Sequence, residues 1–159
     1  MNEELDIPMV EKASGFDAKK FEGKKVMIAD ILVKEETNFY PDGQTYDENS
    51  KEKIKRVYFV SEPLHEIDEK GNVSDKLLLM PTADGGVKPV TVQARFNLQK
   101  DSSGNWVISK HPKAKLWMAL KKLGCATLKE VKEKKPQVML ITEPSKVAND
   151  DRLFLRLNL

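Results

Sequence analysis

A chain of 159 residues that is 40% hydrophobic and 33% charged has too much apolar content for general disorder and enough for one packed domain. Its one cysteine excludes an intrachain disulfide and suits a reducing compartment, so a cytoplasmic location is expected. No stretch approaches the roughly 18 to 20 apolar residues of a membrane span, and the acidic start "MNEELDIPMVEK" lacks the pattern of a signal peptide.

The net charge of +2 is unevenly spread. Residues 1–99 carry 14 Lys and Arg against 19 Asp and Glu, whereas residues 100–159 carry 13 against 6. That split points to a polyanion partner for the basic portion, or to a solvated lysine-rich surface.

Residues 1–20 read as an arm, with residues 21–159 as the domain proper. Leu5, Ile7, Met9 and Val10 of the arm sustain no period. In "FDAKKFEG" (16–23), Asp17 can cap a helical turn and Gly23 can end it. "KKVMIADILVKEE" (24–36) is a long strand, apolar on both faces over part of its length, with a bulge expected near Asp30. The loop 37–53 turns on Pro41-Asp42-Gly43 and carries Phe39, Tyr40 and Tyr46, which are expected to pack the loop down.

"IKRVYFVSEPL" (54–64) is a second strand, with Val57, Phe59 and Ser61 opposing Arg56, Tyr58 and Val60. "KLLLMP" (76–81) is a short strand or a hydrophobic plug. "PVTVQARFNLQ" (89–99) alternates cleanly: Val90, Val92, Ala94, Phe96 and Leu98 face a core, and Thr91, Gln93, Arg95, Asn97 and Gln99 face solvent. A hairpin turn follows at 100–105, and "WVISK" (106–110) returns.

"HPKAKLWMALKKLG" (111–124) predicts a helix, with Pro112 early in it and Gly124 just past its end. "TLKEVKEKK" (127–135) predicts a second, opened by a capping box of Thr127 and Glu130. "QVMLITEPS" (137–145) is a strand, and residues 146–151 turn into a final one, in which Leu153, Leu155, Leu157 and Leu159 share one face. The other face carries Arg152, Phe154 and Arg156.

The stretch Gly23–Leu159 resembles the oligonucleotide/oligosaccharide-binding (OB) fold. The run "SKHPKAKLWMALKKLGCATLKEVKEKKPQVML", followed by "RLFLRLNL", is similar to small single-stranded DNA-binding proteins of archaea and phages. The resemblance implies a mainly β domain: a five-stranded, partly open Greek-key barrel with a helix between the third and fourth main strands. Residues 37–53 and 68–88 exceed a minimal barrel and are candidate lids over a groove.

Single strands are gripped by basic grooves and by aromatic rings on which bases stack. The outward positions of the predicted strands supply candidates: Arg56 and Tyr58; Arg95; Lys100, Trp106 and Lys110 on the hairpin; and Arg152, Phe154 and Arg156 at the end. Tyr58 and Phe154 have a second reading, as packing under the arm or the long loop. Trp117, beside Leu116 and Leu120, reads as core.

Catalytic chemistry finds no footing in the sequence. His65, His111 and Cys125 make no metal-ligand spacing, and Cys125 reads as a small buried filler. Asp84-Gly85-Gly86 is turn chemistry, and the carboxylate pairs Glu35-Glu36, Asp47-Glu48 and Asp68-Glu69 read as solvated loop charges.

The expectation is therefore a non-catalytic binder of single-stranded nucleic acid, DNA in preference to RNA, serving replication or repair and needing no cofactor or metal. A protein-interaction module docking into a larger assembly is the alternative. A small hydrolase with an unrecognised site is a third reading.

Overall fold

The computed structural model describes residues 17–145 and 152–159; most of the expected arm and the turn at 146–151 lie outside the described residues. A 3-10 turn at Ala18–Phe21 leads into β1 (Lys25–Thr37) and β2 (Lys53–Ser61). Short strands follow: β3 (His65–Ile67), β4 (Val73–Leu77), β5 (Leu79–Pro81) and β6 (Val87–Pro89). After β7 (Gln93–Asn97) come β8 (Gln99–Lys100), β9 (Trp106–Val107), the helices α1 (Lys115–Leu123) and α2 (Leu128–Lys134), then β10 (Gln137–Pro144) and β11 (Leu153–Leu157).

The chain is mainly β, as expected. Five strands form one antiparallel sheet in the order β11-β10-β1-β2-β7, and the remaining six make three separate hairpins. Both helices fall between β7 and β10. β1 holds the sheet together because it is long enough to serve two neighbours. Residues 25–27 pair with β10, and residues 28–37 pair with β2. The edge strands β7 and β11 approach within 8 Å, Cα to Cα, but no ladder joins them, so the sheet does not close into a barrel.

The bulge lies where the sequence predicts it. Ile28 pairs with Ser61 and Asp30 with Val60, which leaves Ala29 as the extra residue. An extra residue reverses the alternation of a strand. Val26 and Ile28 below the bulge and Ile31 above it therefore turn to the same core. The Asp30 carboxylate accepts from the Ile31 N–H at 2.8 Å.

The core packs the inner faces of the sheet, chiefly Ile28, Val57, Phe59, Leu140 and Leu157, against the helices. Leu116, Ala119 and Leu120 of α1 and Val131 of α2 are buried there. Phe59 meets Phe96 with ring centroids 5.3 Å apart. Leu157 alone of the closing leucines is fully buried, while Leu155 and Leu159 cover the core from its margin. Cys125 is a buried filler, as read from the sequence.

Three predicted elements shift. The strand at 89–99 is paired in the main sheet only over 93–97, although its alternation holds throughout. At its start Ser61 substitutes for a ladder: Ser61 Oγ accepts from the Val92 N–H at 2.8 Å, and the Ser61 N–H donates to the Val92 carbonyl at 2.9 Å. α1 begins at Lys115 rather than near Pro112, because the Ala114 N–H closes a turn onto the His111 carbonyl at 2.9 Å. In "KLLLMP" only Leu78 packs on the core, and Leu77, Leu79 and Met80 are exposed.

Helix ends follow their local chemistry. Gly124 takes φ 69°, which glycine adopts without a Cβ penalty, and its N–H returns to α1 carbonyls. Thr127 Oγ1 accepts from the Glu130 N–H at 3.1 Å, and the Glu130 carboxylate accepts from the Ala126 N–H at 3.0 Å. The predicted capping box is thus present, with its return bond one residue earlier than the usual pattern.

Candidate functional site

The antiparallel register fixes which side chains share the outer face of β1, β2 and β7. Lys34, Arg56 and Asn97 form one row, and Leu32, Tyr58 and Arg95 form the next. Arg56 is gripped on two sides. Its Nε donates to Asn97 Oδ1 and its Nη1 to Glu36 Oε2, both at 2.9 Å. The other oxygen of Glu36 accepts from the Tyr58 hydroxyl at 2.5 Å.

The sequence reading ended a strand at Glu36 but took its carboxylate for a solvated loop charge. The structure corrects the second point: Glu35 and Glu36 lie on β1, which ends one residue later at Thr37. The Tyr58 hydrogen bond, and after it Arg56, holds the Glu36 carboxyl below its ordinary value of 4.5. Partial burial, then the Glu36 carboxylate, pushes the Tyr58 phenol above its ordinary 10.0. The available signal was the strand 24–36 itself, whose alternation sets Glu36 on the same face as Lys34.

The polar stripe of β7 runs between two hollows. At one end Thr91 and Gln93 line a groove of about 710 Å³, with Arg152 and Phe154 on its far side. This groove is the open seam between β7 and β11, and Asp17 and Lys19 form its rim. At the other end Arg95, Asn97 and Gln99 line a pocket of about 410 Å³, opposite Ser109, Lys113 and Lys115. No carboxylate lines this pocket. Ala114 gives α1 no side-chain cap beside it.

Each candidate ring carries a cation. Lys34 Nζ stands 5.1 Å from the Tyr58 centroid, and Lys100 Nζ stands 4.8 Å from that of Trp106. Arg152 Cζ lies 5.7 Å from the Phe154 ring. Trp117, partly buried on α1, has Lys110 at 5.4 Å and Lys121 at 5.3 Å.

The nine predicted residues do not form one patch. Arg56, Tyr58 and Arg95 come together, and Arg152 and Phe154 join them across the seam through Gln93. Arg156 pairs with Glu143 on β10 and lines neither hollow. Lys100 and Trp106 face each other across β8 and β9, and Lys110 belongs to Trp117. Trp106 is half-buried rather than exposed.

The long loop holds a cluster that the sequence reading set aside. Phe39 and Tyr46 stack at 5.7 Å, and Tyr40 meets Tyr46 edge-on at 5.6 Å. These rings pack on one another, yet all three stay exposed, Tyr46 at 58%.

Among the described residues no group of His, Cys, Asp and Glu is arranged to hold a metal ion. No helix among them is long and apolar enough to cross a membrane. No family model matches the chain, and no curated protein or solved structure matches it significantly.

Proposed function

We propose that the chain is an OB-type, non-catalytic binder of single-stranded nucleic acid, with DNA as the preferred strand. The five main strands, numbered in chain order, are arranged 5-4-1-2-3, with the helices between the third and fourth. That order, with edges that approach without closing, suits a partly open barrel of the OB type. In such barrels the face of the second and third strands and the loops beside it take oligonucleotides.

The observation that carries the reading is the stripe Thr91, Gln93, Arg95, Asn97, Gln99. It joins the seam groove to the basic pocket and has Tyr58 and Arg56 alongside. The cations over the rings do not block a ligand. An exposed cation–π contact is worth about 0.5 to 1 kcal/mol, whereas a stacked base is worth about 1 to 3 kcal/mol. A base therefore displaces Lys34 from Tyr58, and the displaced ammonium gains a phosphate. Sequence preference is expected to be slight, since every base has a face to stack.

The test is fluorescence anisotropy of a labelled oligothymidylate at low and high salt, with duplex and RNA as competitors. Saturable binding that weakens with salt and resists duplex is the expected result. Absence of binding at low salt by folded protein rejects the reading.

One observation favours docking on a protein instead. Leu79 pairs with Pro89 and Pro81 with Val87, so the β5–β6 hairpin presents four exposed apolar residues on one face. A chain that ignores oligonucleotides but co-purifies with a partner, and loses it on Leu79→Ser with Val87→Ser, would favour that alternative.

A further inference from the structure

We propose that the pocket between β7 and the start of α1 is a phosphate-binding subsite, which holds a backbone phosphate of the bound strand; its occupant rests on the reading above. Arg95, Lys113 and Lys115 converge on the pocket, with Asn97, Gln99 and Ser109 as further polar partners. Its base is apolar, formed by Phe96, Ile108 and Leu116, so the charges converge over a surface that excludes water on one side.

The cations are available. Among the described residues neither Lys113 nor Lys115 makes an ion pair, and no acid lines the pocket. The Glu36 carboxylate, which feels the charge of Arg95, is already held by Arg56 and Tyr58. Elsewhere the lysines of α2 are matched: Lys129 with Glu133, Lys132 with Asp30 and Lys134 with Glu130. The pocket thus holds positive charge unmatched by any acid, at the end of the β7 stripe where a strand lying on Tyr58 and Arg95 must continue. A backbone phosphodiester suits such a cluster, because its two non-bridging oxygens share one negative charge and accept charge-assisted bonds from several donors at once.

Two arms test this. In the first, sodium pyrophosphate is titrated into the full chain at constant ionic strength and followed by amide and side-chain NMR shifts. Saturating shifts confined to residues 95–99, 109 and 113–116 are expected. In the second, the salt slope of oligothymidylate binding is compared between wild type and the Lys113→Gln/Lys115→Gln double variant.

Losing one phosphate contact lowers that slope by about 0.7 for a single strand. The Lys129→Gln/Lys134→Gln variant, with the same charge removed on α2, should leave it unchanged. Both pairs are exposed, so circular dichroism should match wild type. Equal slopes in wild type and the pocket variant, or an equal fall in the α2 control, overturn the subsite. Failure of wild type to bind any strand rejects the nucleic-acid reading, while the pyrophosphate arm still decides whether the pocket takes phosphate.

Discussion

The Tyr58 hydroxyl donates to the carboxylate of Glu36, across the β1–β2 pair and 22 positions away in the chain. With Arg56 on its other oxygen, this carboxylate orders the centre of the candidate face, so its protonation is coupled to the fold.

Acid should therefore weaken the protein through Glu36. Its folded value lies below the ordinary 4.5, so its contribution is fully present above that pH and is lost as pH falls through the folded value. Tyr58 works in the opposite range. Its folded value is raised, so its contribution is present below 10.0 and is lost as pH rises through the folded value. In Glu36→Gln, the fall in urea midpoint below pH 4.5 should be shallower, and tyrosinate should form at lower pH by ultraviolet-difference titration. An unchanged acid limb with an unchanged phenol titration would exclude the coupling.

The two rings on the β7 track should each carry part of the affinity. Tyr58→Ala and Phe154→Ala should each weaken oligothymidylate binding by about 1 to 3 kcal/mol, or roughly 5- to 150-fold. Arg156→Gln, whose side chain is engaged with Glu143 off the track, should cost much less. Anisotropy titrations rank the three, and an Arg156 effect as large as that of Tyr58 would move the interface onto β10 and β11.

Ser61 should be a stability position without a binding role. It is 2% exposed, and its hydroxyl both accepts from the Val92 N–H and donates to the Glu62 carbonyl. Ser61→Ala leaves the buried Val92 N–H without that partner, at a cost of about 1 to 3 kcal/mol. Denaturant unfolding measures the loss, and oligonucleotide affinity under folding conditions should not change. A variant as stable as wild type would show that the 89–92 segment is held by other contacts.

Much of the local structure was legible in the chain. Alternation alone assigned Val57, Phe59, Ala94 and Phe96 inward, and Arg56, Tyr58 and Arg95 outward, because the pleat turns successive residues to opposite faces. The bulge at Ala29, the left-handed Gly124 and the Thr127 cap were likewise readable, since each depends on a few neighbouring residues. What only the tertiary structure decided is which faces meet. Strand order, the open seam and the two hollows along β7 depend on pairings between distant segments, which no local pattern encodes. The same reason separates Arg56 from Arg156. Both sit on outward strand positions, yet one joins Tyr58 and Arg95 while the other is claimed by Glu143 on a strand that register alone brought alongside.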